Sequence, residues 1–175
     1  LEVLIADFAG ERRWHWNTRY EYPEPEVVLA TIQQGLLEAK KDWKDQWHRV
    51  VGVGLTAPLS MHQWADLMGK AAGPAIARWE QLDLVNEVRR ITPLPVRFAK
   101  DTTGACVAEL VKGHGREIQN FLYVFVGTFV GGGLVLGGQL ASGPSGNAGA
   151  IGSMPMGVIQ PGGLQHPPQL LNKAS

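Results

Sequence analysis

A glycine-dense run from Gly127 to Ser153 constrains this chain more than any other part of the sequence, and it reads GTFVGGGLVLGGQLASGPSGNAGAIGS. It directly follows an apolar segment, FLYVFV, which is typical of a β-strand. Because glycine has no Cβ, glycines packed this closely let a backbone turn sharply and approach a ligand or another strand. The run therefore predicts a region of tight turns and close backbone contacts.

Composition limits the class of protein. The chain has 175 residues, of which 45% are hydrophobic and 18% charged, as is ordinary for a globular domain with one core. Sixteen basic residues balance sixteen acidic ones, so no global field favours nucleic acid or an anionic membrane. The single cysteine, Cys106, cannot form an internal disulfide, and no cysteine-histidine spacing suggests zinc. We therefore expect no metal and no membrane partner.

The longest apolar stretch and the N-terminus indicate where the protein is located in the cell, and the two ends indicate whether the chain is part of a longer protein. The stretch around Phe121 to Val126 is too short to span a bilayer, and the N-terminus lacks a signal-peptide pattern. We therefore expect a cytoplasmic protein. Leu1 lies inside a strand-like segment, and the last residues, LLNKAS, are typical of the first turns of a helix. These ends predict that the chain is part of a longer protein.

The hydrophobic pattern predicts alternating strands and helices, which imply a parallel or mixed sheet. Val28, Ile32 and Leu36 recur at helical spacing, whereas Arg49 to Leu55 lacks polar alternation and is expected to be a strand buried on both faces. Predicted strands cover Glu2 to Phe8, Arg12 to Thr18, Arg49 to Leu55, Val96 to Ala99, Phe121 to Val126 and Leu134 to Leu136, and predicted helices cover Glu26 to Trp43, Leu82 to Ile91 and Thr102 to Lys112.

Three ordered segments resemble the ROK family (repressors, open reading frames and sugar kinases). The run matches the family's glycine-threonine-glycine turn and glycine-rich hairpin at Gly127, Thr128 and Gly131, and its G-x-x-G-x-A-G-E-x-G-H segment from Gly143 to Ser153. Upstream, PVRFAKDTTGACVAE stands in place of the family's P-V-x-x-x-N-D-A-N-x-x-A-x-x-E, and VGVGLTAPL in place of G-x-G-x-x-x-P-G.

The resemblance implies an α/β chain with the actin-like (ribonuclease-H-like) ATPase fold. Residues 1–118 would form the first lobe without its first strand, and residues 119–175 would begin an incomplete second lobe that carries the glycine-rich hairpin. The family's tendency to form dimers or tetramers further implies a homodimer or a higher homo-oligomer.

Asp101 is the candidate catalytic residue, because it falls between a predicted strand and helix, where open α/β folds place their ligands. In kinases of the family the matching aspartate is the general base that takes the proton from the attacking sugar hydroxyl. The alternative is that Asp101 caps the helix beginning at Thr102 by accepting a free backbone N–H. The two roles are compatible.

The positions around Asp101 depart from the kinase pattern. Lys100 replaces an asparagine that hydrogen-bonds sugar hydroxyls, and Ala150 and Ser153 replace the glutamate and histidine that also contact the sugar. Alanine accepts no hydrogen bond, so a sugar hydroxyl facing Ala150 would remain unpaired at a cost of about 1–3 kcal/mol. Phe129 occupies the third position of the phosphate turn, where its Cβ restricts the backbone conformation that would cradle a phosphate.

Lys100 has two interpretations. Its ammonium could pair with an anionic effector such as a sugar phosphate or an acidic sugar, because charge-assisted hydrogen bonds are stronger than neutral ones. Alternatively, it is a surface lysine or a partner of Asp101.

These features predict the effector-sensing region of a ROK-type transcriptional regulator that has lost kinase chemistry. Lys100, Asp101, Ala150 and Ser153 would contact a sugar-like effector, no cofactor would be needed, and DNA would be bound by a helix-turn-helix module outside this chain. The main alternative is an ATP-dependent sugar kinase, which would use ATP and Mg²⁺ with Gly127, Thr128 and Gly131 near the phosphates. A third possibility is a protein-interaction scaffold without a small-molecule ligand.

Overall fold

The computed structural model describes residues 1–59, 61–65, 69–127, 129–156 and 169–170. It divides into two compact units, Leu1–Ala99 and Lys100–Ser175. No helix in the described part of the chain is long and apolar enough to cross a membrane.

The first unit begins with an antiparallel hairpin of two strands, β1 (Glu2–Ala6) and β2 (Arg12–Asn17). Helix α1 (Pro25–Trp43) follows and leads into a 3₁₀ turn, Lys44–Arg49. The remaining elements are β3 (Val53–Ala57), a 3₁₀ turn at Met61–Trp64, α2 (Gly69–Ala77), a 3₁₀ turn at Arg78–Gln81, α3 (Leu84–Ile91) and β4 (Val96–Lys100). β3 and β4 are neighbours in a sheet.

The core of this unit forms where the apolar stripe of α1 meets later elements. Val28 and Ile32, four residues apart on α1, are buried with Trp79, Val88 and Val96. The indole Nε1 of Trp79 donates a hydrogen bond of 2.7 Å to the carbonyl of Pro23, so the ring's polar atom is satisfied inside the core. The periodicity of α1 therefore predicted its buried face correctly.

The expected strand over 49–55 differs from the observed one. Residues up to Arg49 belong to a 3₁₀ turn, and the strand covers Val53–Ala57. Exposure alternates along it: Val53 and Leu55 pack against the core, whereas Gly54 and Thr56 are exposed. The prediction of burial on both faces was therefore wrong, because only one face of β3 packs against the core cluster.

The second unit begins with α4 (Asp101–Lys112) and a 3₁₀ turn at His114–Arg116. An antiparallel sheet follows, in the order β5 (Phe121–Val126), β6 (Val130–Leu136) and β7 (Gln139–Ala141). A 3₁₀ turn at Ile151–Ser153 precedes a two-residue antiparallel pair, β8 (Pro155–Met156) and β9 (Gln169–Leu170).

The hairpins β1–β2, β5–β6 and β6–β7 have short connections, and this explains why their strands pair antiparallel instead of parallel. Gly137 and Gly138 join β6 to β7 with φ angles of +58° and +73°, the left-handed values that a two-residue type I′ turn requires. The sharp turns expected from the glycine run are therefore present. Helix α4 packs against β6 and is therefore grouped with the second unit. The lobe boundary expected between residues 118 and 119 stays a prediction.

The turn between β1 and β2 is organised by Asp7, so β1 ends at Ala6 instead of continuing to Phe8. Its Oδ1 accepts hydrogen bonds of 2.9 Å from the backbone N–H groups of Ala9 and Glu11, and its Oδ2 accepts one of 2.8 Å from Nε of Arg13. These bonds favour the charged carboxylate. The bond from the Glu11 amide is the main reason that the pKa of Asp7 lies below its ordinary value, and Arg13 lowers it further.

We expect this turn to weaken in acid. Because the pKa of Asp7 is lower in the folded hairpin, its stabilising effect is complete above about pH 4 and is lost as pH falls through the lowered pKa. NMR titration should show the Asp7 carboxyl and the amides of Ala9 and Glu11 moving together below pH 4. Asp7→Asn, which keeps an acceptor oxygen but does not titrate, should remove that transition. An Asp7 carboxyl that titrates at or above its ordinary pKa would contradict this account.

Candidate functional site

The triple glycine lies inside β6, where it lets α4 approach the sheet. Gly131 and Gly133 face α4. A Cβ added at Gly131 would lie 2.8 Å from Cγ2 of Thr102, and one at Gly133 would lie 2.4 Å from Cβ of Cys106. Real Cβ atoms do not come this close to other carbon atoms. Thr102 and Cys106 are 6% and 0% exposed, so the glycines make room for a closely packed helix.

The middle glycine has the same function on the other face of β6. Successive residues of a strand point to opposite faces, so Gly132 faces away from α4. A Cβ at Gly149 would lie 2.3 Å from the carbonyl oxygen of Gly132, and one at Gly132 would lie 3.3 Å from the carbonyl oxygen of Gly149. The segment from Gly143 to Ser153 therefore contacts β6 backbone to backbone. β6 thus positions both α4 and this segment, which carry the predicted effector-contacting residues.

A side-chain hydrogen bond joins the start of α4 to the same segment. Nζ of Lys100 donates to Oδ1 of Asn147 over 3.1 Å. The backbone N–H of Ala150 donates to the carbonyl of Asn147 at 3.1 Å, which continues the segment as a turn towards Ser153. The fold thus brings Lys100 to the loop that carries Ala150 and Ser153, although about fifty residues of sequence separate them.

Lys100 therefore contacts Asn147 and forms no ion pair with Asp101, and as a half-buried residue it is still partly accessible to solvent. Sequence reasoning missed Asn147 because it occupies a variable position of the glycine motif. Its only sequence signal was its place between Gly146 and Ala148, at the point where the motif turns.

Asp101 is half-buried at the first residue of α4. Its Oδ1 accepts a hydrogen bond of 2.7 Å from the backbone N–H of Thr102. The helix begins one residue earlier than expected, so Lys100 occupies the N-cap position. The expectation that Asp101 occupies the N-cap position was therefore wrong, although its carboxylate accepts the N–H of Thr102, one of the first-turn amides that have no partner within the helix.

The loop positions show what groups the site offers. Ala150 is half-buried and has no side-chain acceptor, whereas Ser153 is exposed. The Ser153 hydroxyl donates to the carbonyl of Ala150 at 2.9 Å. Together with Lys100, Asp101 and Asn147, the region offers an ammonium, a carboxylate, an amide and a hydroxyl. Such a set can bind a polar ligand through hydrogen bonds.

The predicted phosphate-turn residues are not brought together in one turn. Gly127 follows β5 and is exposed, whereas Gly131 is buried within β6 beneath Thr102. Thr128 lies outside the described residues. Packing against α4 accounts for a glycine at position 131, and phosphate binding by these residues stays a prediction.

Cys106 is a packing residue. Its side chain is fully buried against Gly133, and this burial is the main reason that the pKa of its thiol is raised, with a smaller contribution from the Glu109 carboxylate. A raised pKa keeps the thiol protonated, and a protonated thiol is a poor nucleophile and metal ligand. Across the residues described here, no group of three histidine, cysteine or acidic side chains is arranged to hold a metal ion.

The sequence pattern that defines the ROK family matches residues 7–167. The chain belongs to the ROK family. A glucokinase from Halalkalibacterium halodurans is 33% identical to this ROK chain over 164 residues, covering 93% of the chain and 48% of the glucokinase. The chain spans roughly a third to a half of the length of the curated relatives it matches.

Two solved structures show that regulators and kinases of the family share this fold. A ROK glucokinase from Streptomyces griseus, solved with glucose and AMPPNP, aligns with a TM-score of 0.67 at 24% identity, covering 89% of this chain and 48% of the glucokinase. A ROK transcriptional regulator, a homologue of the E. coli MLC protein, aligns with a TM-score of 0.64 at 23% identity, covering 93% and 41%. The ROK chain therefore has the family's mixed α/β, actin-like ATPase fold.

Proposed function

We propose that this ROK chain is part of the effector-sensing region of a transcriptional regulator and binds a sugar or a sugar derivative without phosphorylating it. ROK regulators and ROK kinases share the fold, so the fold favours neither activity. The side chains at the matched motif positions support binding over catalysis.

The observation that supports this proposal most is the hydrogen bond from Lys100 to Asn147. It joins two of the segments in which this chain departs from the kinase pattern: the residue before Asp101, and the loop with Ala150 and Ser153. Three polar sugar contacts of the family are replaced there by an ammonium, a methyl group and a hydroxyl. The departures at the sugar-contact positions therefore cluster around one region, whereas Phe129 lies in the separate connection between β5 and β6.

In this proposal a bound effector would shift a conformational equilibrium, and a helix-turn-helix module outside this chain would respond to it on DNA. A homodimer or a higher homo-oligomer in the cytoplasm would suit such a regulator. No cofactor is needed for binding alone.

An ATP-dependent sugar kinase is the second candidate, and Asp101 favours it. A half-buried carboxylate at the start of α4 matches the general base of the family's kinases, and the curated glucokinase is 33% identical to this chain. In that case ATP and Mg²⁺ would be required.

The two candidates differ in turnover. We expect the full-length protein to bind at least one sugar or sugar derivative, measured by calorimetry and by a rise in Tm through mass action. We expect no ADP release when ATP, Mg²⁺ and the same compound are supplied, and no difference between the parent protein and Asp101→Asn in that assay. Sugar-dependent ADP release that Asp101→Asn abolishes would establish the kinase. Failure of every sugar and derivative to bind would instead favour a scaffold.

A further inference from the structure

On the basis of the proposed function, we infer that the effector carries a negative charge, a phosphate or a carboxylate on the sugar, and that Lys100 binds this group. The observation behind the inference is the electrostatic setting of the Lys100 ammonium.

The Lys100 ammonium has a neutral partner. Its hydrogen bond goes to the amide oxygen of Asn147, and none of the ion pairs among the described residues includes it. The carboxylate of Asp101, its neighbour in sequence, accepts the backbone N–H of Thr102 instead. A half-buried cation without a counter-charge can therefore attract an anion.

A purely structural role explains poorly why a lysine occupies position 100. It is the N-cap residue of the 12-residue helix α4, and the helix dipole is positive at this end. An ammonium is disfavoured there and has no acceptor with which to cap the helix amides. An anion beside Lys100 would interact favourably with the ammonium and with the dipole together.

Of the five described residues that form this region, namely Lys100, Asp101, Asn147, Ala150 and Ser153, only Asp101 would repel an anion. Ala150 stands where the family has a glutamate, so the loop presents a methyl group instead of a second carboxylate. Asn147 and Ser153 are neutral and exposed. Compared with the family pattern, the site has lost one negative charge and gained one positive charge, which reverses its preference between neutral and anionic sugars.

The test compares neutral and anionic forms of one sugar in the full-length protein. Calorimetry measures the Kd of glucose, mannose and galactose, each also as its 6-phosphate and its uronic acid, with inorganic phosphate as a control. We expect an anionic form to bind at least about tenfold more tightly than its parent sugar, and added salt to weaken it selectively. The 6-phosphate and uronic acid arms distinguish the two sources of charge.

Variants then assign the effect to Lys100. Lys100→Asn, which inserts the family's residue, should weaken the anionic form at least about tenfold and change the parent sugar much less. Lys70→Asn removes an exposed lysine of α2 and should change neither Kd.

The outcomes separate the two proposals. Binding of neutral sugars at least as tight as that of anionic ones would overturn the inference and leave the proposed function standing, as would Lys100→Asn with unchanged affinity for the anion. Absence of binding by every compound would overturn both.

Discussion

Replacing Gly133 with valine is expected to destabilise the second unit by about 3 kcal/mol or more, the upper end of what overpacking a core costs. A Cβ at this position would lie 2.4 Å from Cβ and 2.7 Å from Sγ of Cys106. Gly133 lies on β6 and Cys106 on the facing helix α4. Because Cys106 is fully buried, its short side chain cannot move aside to admit the valine. The substitution can be accommodated only if α4 separates from β6.

The measurement is urea unfolding followed by far-UV circular dichroism, together with amide hydrogen exchange of α4 and β6. Gly54→Val is the matched control, because a Cβ at this position of β3 meets no atom within 4 Å. Combining Gly133→Ala with Cys106→Gly should cost less than the sum of the two single changes, since the residues contact each other. Strict additivity, or an unchanged midpoint for Gly133→Val, would show that the close contact does not limit stability.

Truncation of Trp79 to alanine is expected to lower the free energy of unfolding of the first unit by about 3–5 kcal/mol. The indole is 6% exposed and packs with Val28, Ile32, Val88 and Val96, so its removal leaves a large cavity among side chains that cannot all move inward. The substitution also removes the hydrogen bond from Nε1 of Trp79 to the Pro23 carbonyl, which lowers the stability further.

Two further variants separate these contributions. Trp79→Phe keeps most of the apolar volume but leaves the Pro23 carbonyl without its partner, and should cost about 1–3 kcal/mol. Phe8→Ala truncates an aromatic ring that is 99% exposed and should leave the unfolding midpoint unchanged. A Trp79→Ala protein as stable as Phe8→Ala would refute the assignment of Trp79 to the core.

The Gly133 prediction also bears on the site. α4 carries Asp101 at its start, and the loop containing Asn147, Ala150 and Ser153 contacts the opposite face of β6 through Gly149. A side chain at any of these buried glycines would therefore move residues of the proposed effector site without touching an effector. Variants in the triple glycine should lose ligand affinity together with stability, whereas Lys100→Asn should lose affinity alone.

Helices α1, α3 and α4 and strands β1, β2 and β5 were predictable because their signals are local. Strand β6 was predicted only over Leu134 to Leu136, although it begins at Val130 and includes the triple glycine, because glycine carries little strand signal. Val28 and Ile32 recur at the period of an α-helix, and the residues that contact them belong to the apolar runs found later in the chain. The run of residues 49–55 was less informative. A short apolar segment looks the same whether one or both of its faces are covered, and that depends on elements far away in sequence.

The sequence by itself determined the family, the order of the elements that have strong local signals and the positions where the kinase pattern is missing, because these depend on residue identity and short-range periodicity. Only the tertiary structure decided what the glycine run does and which residue Lys100 contacts. A glycine, having no Cβ, allows many different segments to pack closely against it. Which residues contact the triple glycine, here Thr102, Cys106 and Gly149, depends on how α4 and the later loop pack on β6. Likewise, Lys100 and Asn147 are 47 positions apart and no local sequence pattern relates them, so their hydrogen bond exists only in the folded chain.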